Sequence, residues 1–455
     1  MNRPHNLVEV RREGIKKAYK YLSSYAHELI HFYLTLGTSY GIYDLLLRSA
    51  FLIQTSATTI HETKDKGNKL KVPFINELKH CPELVYNYNF LVRFNNYIYP
   101  SSDITEEHAI KNIDYITVRN ERFNFYNFLG KNTPISFPTF IVHFNLNGEG
   151  VPNYVPIGLD LIHEGYSRIV QDKLLQEITP KKEYLKDYEN RISSGLFFPY
   201  YILKHFVLKE FCDSSVNPII ILIAAFYISM MYLEPISCQS KKEHYWGLNY
   251  KTANDEEFIF NLMHPGETFL RALDAMRKVL KSVKKPHLID LLDLTCKEMK
   301  IPSVKEMNRN LREFLHKTAE ACSLALPNYP FLKYFLEVSI DILEKTEDEE
   351  DLAIFLLRPN LNLKYIPCTI SDDRIIRKGS KDNEVLIEES SIIDQLLNKR
   401  RIFCSPKNFF GSNPNCKNDK ECSIKKENYP YSKCESDFLG VLEYVVGDVN
   451  KLIPS

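Results

Sequence analysis

The chain has little glycine, one tryptophan and no surplus of charge, and each shortage narrows what it can be. Sixteen glycines in 455 residues exclude collagen-like or glycine-rich repeat sequence. Lys+Arg and Asp+Glu both number 58, so a globally basic surface for gripping nucleic acid is missing and no nucleic-acid partner is expected. The one membrane candidate, Ile219 to Leu233, is uncharged and apolar. At 1.5 Å per residue it reaches only about 22 Å, short of the ~30 Å hydrocarbon core, so a buried helix is expected and no membrane partner. No G-x-x-x-x-G-K-S/T loop, G-x-G-x-x-G turn or G-x-S-x-G elbow occurs, which argues against nucleotide-driven chemistry and α/β-hydrolase chemistry. Met1-Asn2-Arg3-Pro4-His5-Asn6 leads into a charged stretch without an apolar segment, so the expected compartment is the cytoplasm. The ten cysteines are then expected as thiols or metal ligands.

What is present is ordinary globular material, 44% hydrophobic and 25% charged, enough for roughly three domains at about 150 residues each. Ile15, Ala18, Tyr19, Leu22, Tyr25, Ala26, Leu29, Ile30, Tyr33 and Leu36 recur at three and four, the period of a helix with one buried face. Gly37 fits its C-terminal stop, and a second helix is expected from Ile42 to about Ile60. Residues 72–147 are less regular, but Phe140, Val142, Phe144 and Leu146 alternate with their neighbours as a strand does. A helix is predicted to begin near Pro156, and a mostly helical body to follow from Leu196 to Leu357, broken at its prolines. The basic stretch Arg277 to Lys285 reads as a solvated helix face. The expected fold class is α+β and predominantly α-helical.

The chemistry lies on the first helix, in Ala26-His27-Glu28-Leu29-Ile30-His31-Phe32. Residues i and i+4 sit one turn apart on one side of a helix, so His27 and His31 can converge on one ion. Glu28 lies about 100° round the axis, beside such an ion, where it can deprotonate a water. Chance would place H-E-x-x-H in roughly one such chain in thirty, and here it falls within a strongly periodic helix. Zinc with an open position needs a third protein ligand. Glu164 stands within an otherwise apolar helix and is followed by the small residues Gly165 and Ser167, which let another helix approach closely. Glu62, in Thr59-Ile60-His61-Glu62, is the rival ligand, nearer in sequence but close to a polar turn.

H-E-L-I-H followed far downstream by this Glu-Gly-x-Ser helix resembles the gluzincin-type zinc metallopeptidases. The wider stretch His27 to Tyr43 also resembles bacterial and mobile-element proteins of that type. The resemblance covers roughly residues 15 to 65 and 150 to 175. It implies a zincin-like core with one catalytic zinc held by His27, His31 and Glu164, and with Glu28 as general base. It also implies hydrolysis of peptide bonds in a cytoplasmic protein or peptide, the water being activated by zinc and Glu28. His31 and Glu164 are 133 residues apart, longer than in many gluzincins, so an intervening subdomain must fold back. His163 and Tyr166 flank the proposed ligand as candidate oxyanion donors, His163 equally as a supporting or surface histidine. Asp160, one turn earlier, is a candidate to orient a ligand histidine.

Near the carboxy terminus, Cys404, Cys416, Cys422 and Cys434 are spaced C-x11-C-x5-C-x11-C in a loop-rich segment. They are read as ordinary thiols or as a structural site for a second zinc, with an iron–sulfur cluster or disulfides as the remaining alternatives. Cys81, Cys212, Cys238, Cys296, Cys322 and Cys368 read as scattered core residues. The expected organisation is a metallopeptidase-like domain over 1–260, a helical region over 261–360 and a small cysteine-bearing tail over 361–455. Two competing readings are a non-catalytic zincin-like protein-interaction module and a zinc amidohydrolase acting on a non-peptide amide.

Overall fold

In the computed structural model, residues 27, 30–46, 110–126, 132–146, 153–178, 198–233, 265–325, 330–347, 352 and 356 are described. The first helix, α1, holds His27 and residues 30–37 and stops at Gly37, as the glycine predicts. A second helix, α2, takes residues 39–46 and so begins three residues before the expected Ile42. Thr38 makes this corner. Its hydroxyl donates to the Leu34 carbonyl at 2.6 Å and accepts from the Gly41 amide at 3.1 Å, capping the end of one helix and the start of the next. At Gly41 a Cβ would run into the Leu34 and Thr35 carbonyls, so the turn needs a residue without a side chain.

A three-stranded antiparallel sheet follows, with strands β1 (Ile110–Tyr126), β2 (Asn132–Leu146) and β3 (Asn153–Pro156) in the order β1-β2-β3. The predicted strand at Phe140 to Leu146 is the end of β2. Val142 pairs with Val155 on one side and Ile116 on the other, and this row faces the core. The neighbouring row turns outward, with Tyr154 exposed beside His143. Pro156 is the last residue of β3, which among the described residues pairs with β2 alone, and a strand edge tolerates a residue that lacks an N–H. Backbone pairing continues one step further, the Ile157 amide donating to the Phe140 carbonyl at 2.7 Å. The helix then starts at Leu159.

That helix is α3 (Leu159–Ile178), followed by α4 (Phe198–Glu210), α5 (Pro218–Met231), α6 (Pro265–Ser282), α7 (Leu288–Met299), α8 (Val304–Ala325) and α9 (Pro330–Lys345). Prolines open α5, α6 and α9, where a missing N–H costs nothing. The apolar run expected to be a buried helix is α5, capped by Asn217, whose side chain accepts from the Ile219 amide at 2.9 Å. Every residue of α5 from Ile221 to Met231 is buried, which explains a helix apolar on all sides. No helix among the described residues is long and apolar enough to cross a membrane.

The core runs across the boundary drawn at residue 260. Phe226 of α5 stacks on Phe269 of α6 at 5.3 Å, and Ile342 of α9 fills the space left by the missing side chain of Gly37. One hydrophobic cluster joins Ile30, Val142, Phe226, Phe269 and Leu356. The described parts of 1–260 and 261–360 therefore share a core. Of the two cysteines described in detail, Cys296 is buried as expected, with burial pushing its thiol up to about 12. Cys212 is exposed, a correction to its reading as a core residue.

Candidate metal centre

Three side chains from two distant helices meet at one point. His27 and His31 project from α1 one turn apart, as their spacing requires, and their Nε2 atoms lie 3.0 Å from each other. Glu164, on the second turn of α3, places Oε2 3.1 Å from His27 Nε2 and 3.3 Å from His31 Nε2. Among the described residues this is the one group of three or more His, Cys, Asp or Glu side chains close enough to hold an ion. Hydrogen bonding satisfies such a triangle poorly, because two imidazole nitrogens facing each other share at most one proton and the carboxylate has none to give. A cation satisfies all three lone pairs at once. Tetrahedral coordination with bonds of about 2.0–2.1 Å sets donor atoms about 3.3–3.4 Å apart, close to the three separations observed. The donor set, two imidazoles and one carboxylate, suits zinc with a position left for solvent.

The electrostatics of the metal-free cluster favour the ionised form of the Glu164 carboxyl. Burial alone would raise the Glu164 carboxyl, but hydrogen bonds from His27 and His31 and the charge they carry outweigh it and hold it down at about 2. Glu164 stays half-buried and anionic across the whole physiological range. Gly165 lets α3 come this close. A Cβ there would sit 2.9 Å from Phe226 Cζ, so the small residue after Glu164 serves the α3–α5 contact.

The flanking residues fall in different places. His163 is buried beside the cluster, its ring 6.3 Å from that of His31. Tyr166 is 200° round α3 from Glu164 and points into the core, its hydroxyl donating to the Leu356 carbonyl at 2.9 Å. It is therefore turned away from the cluster, contrary to its reading as an oxyanion donor. Among the described residues the buried Nδ1 of His27 has no hydrogen-bond partner, so Asp160 does not orient that ring. Glu28, Glu62, Cys404, Cys416, Cys422 and Cys434 lie outside the described residues.

Two features escaped sequence reasoning. Tyr200, on α4, sets its ring edge-on to that of His27 with centroids 5.8 Å apart, and so packs an imidazole whose Nδ1 has no hydrogen-bonded partner among the described residues. Next to it, Tyr201 enters a buried polar network with Arg168 and Asp172 of α3. Neither residue belongs to a motif; only the phase of Arg168 and Asp172, four and eight residues after Glu164, hinted that one face of α3 carries more than one polar group.

Compared with protein-family models, curated proteins and solved structures, the chain matches none.

Proposed function

We propose that this chain is a zinc-dependent peptide hydrolase. The observation that carries the reading is the convergence of His27, His31 and Glu164 within 3.0–3.3 Å across 137 residues of sequence. In this reading those three residues hold the ion, with two neutral imidazoles and one carboxylate as donors. A divalent ion bound there supplies Lewis acidity and brings the pKa of water near neutrality. Glu28, next to the first ligand in sequence, accepts a proton from the attacking water and passes it to the leaving amine nitrogen. The anionic Glu164 lowers the net charge of the metal-loaded site. Tyr200 packs edge-on against the ring of His27, and the ring of His163 lies near that of His31. The substrate class is a protein or peptide.

The test is cleavage of a peptide library or unfolded casein by the full chain, with and without a chelator and with zinc restored. Cleavage that is lost on chelation and regained with zinc is expected. Glu28→Gln is expected to keep zinc and lose turnover, while His27→Ala loses both. Full activity in Glu28→Gln would remove the base assignment, and zinc-bound protein that cleaves no peptide would favour a non-catalytic role.

A further inference from the structure

Glu164 begins a polar face of α3 that continues through Arg168 and Asp172, one and two turns on. This face is buried against α4. Arg168 Nε donates to the Tyr201 hydroxyl at 2.7 Å, and that hydroxyl donates to Asp172 Oδ1 at 3.1 Å. Arg168 and Asp172 are also ion-paired at 3.3 Å, and Lys204 Nζ approaches the other Asp172 oxygen at 3.6 Å. The guanidinium of Arg168 and the ammonium of Lys204 both lie over the Tyr201 ring, 5.3 and 5.4 Å from its centroid. Arg168, Asp172 and Tyr201 are each more than nine-tenths buried. Buried ionic groups stabilise a fold no better than well-packed apolar ones, so a set like this is best explained by what it fixes.

The position of the network shows what that is. Tyr201 follows Tyr200, the residue packed against His27, and Arg168 follows Glu164 by one turn. Fixing Tyr201 to Arg168 and Asp172 thus sets both the carboxylate on α3 and the packing partner of the His27 ring on α4. His27 has particular need of this, since its Nδ1 has no hydrogen-bonded partner to hold the ring. We propose that Arg168, Asp172 and Tyr201 are positioning residues for the metal centre, setting the separation of Glu164 from His27 through the α3–α4 contact. The inference rests on the metal reading above and adds to it the residues that tune the site.

Asp172→Asn would leave two cations without their shared carboxylate and endanger folding, so the informative variant is Tyr201→Phe. It deletes one oxygen and keeps the ring under both cations. Arg168→Lys, which keeps the charge and loses the fork, is read beside it. Zinc affinity is measured by competition with a chromophoric chelator, the cobalt(II)-substituted proteins are compared by visible absorption, and far-UV circular dichroism checks the fold. Zinc affinity about 10- to 100-fold weaker and a displaced cobalt band, in proteins of unchanged helix content, are expected. Wild-type affinity and an unmoved band in both variants would overturn the positioning role alone. Loss of fold in both would overturn it too, since the network would then serve stability. A wild-type chain that takes up neither zinc nor cobalt would overturn the metal reading itself, which is a separate result.

Discussion

Gly165→Ala tests whether α3 needs its close approach to α5. A Cβ at this position would lie 2.9 Å from Phe226 Cζ and 3.5 Å from Cε2, where ordinary contact is 3.4–4 Å. Phe226 has little room to retreat, being fully buried, stacked on Phe269 at 5.3 Å and edge-on to Tyr166 at 6.2 Å. Overpacking of this kind costs about 1–3 kcal/mol. Alanine in a helix interior returns about 1 kcal/mol relative to glycine. The steric cost outweighs the propensity gain, leaving a net loss of about 0–2 kcal/mol, together with a shift of the neighbouring Glu164 that weakens metal binding. Chemical denaturation of the metal-free proteins measures the first effect and chelator competition the second. Phe226→Leu shortens the opposing ring, so Gly165→Ala should be better tolerated in that background, a coupling that a double-mutant cycle reads directly. The reasoning is refuted if Gly165→Ala stabilises the chain by about 1 kcal/mol, the bare propensity gain, and leaves zinc affinity unchanged.

Other expectations follow from single contacts. Glu164 titrates at about 2 in the folded chain against an ordinary 4.5, so it contributes stability above pH 4.5 that is lost as pH falls towards 2. The shift sets an upper bound on the order of 3 kcal/mol, so metal-free wild type and Glu164→Gln should differ fully above about pH 4.5 and converge as pH falls towards 2; a difference that grows on acidification would contradict the pairing. Thr38→Val removes the hydroxyl that caps both α1 and α2 and should cost about 1–2 kcal/mol in denaturant unfolding.

The cluster was largely legible in sequence because its side chains obey local rules. The i, i+4 phase of a helix brings His27 to His31, and the small residues Gly165 and Ser167 beside Glu164 pointed to a closely approached helix face. Helix stops at Gly37 and starts at proline were legible for the same reason, being fixed by backbone chemistry at one residue. The helix expected near Pro156 starts three residues later, at Leu159, because Pro156 still pairs with Ile141 of β2, a contact that lies outside the helix's own sequence. The register of strand β1 against β2 slips between Ile110 and Asn112 and again between Ile113 and Tyr115, which a reading of one strand's sequence does not reveal. Tyr200 and the Arg168–Tyr201–Asp172 network depend on how α3 meets α4, which no spacing within either helix encodes. Tyr166 was misassigned through adjacency: two residues along a helix is nearly the opposite face.

The central claim is that His27, His31 and Glu164 share one ion. Metal analysis of the purified full chain after zinc loading and desalting tests it most directly, with X-ray absorption at the zinc edge on the same sample. One zinc per chain at this centre is predicted, with two imidazole nitrogens and oxygen in its shell, and with the zinc lost in His31→Ala and Glu164→Ala. A chain that retains no zinc, or one that keeps it undiminished in both variants, would contradict the account.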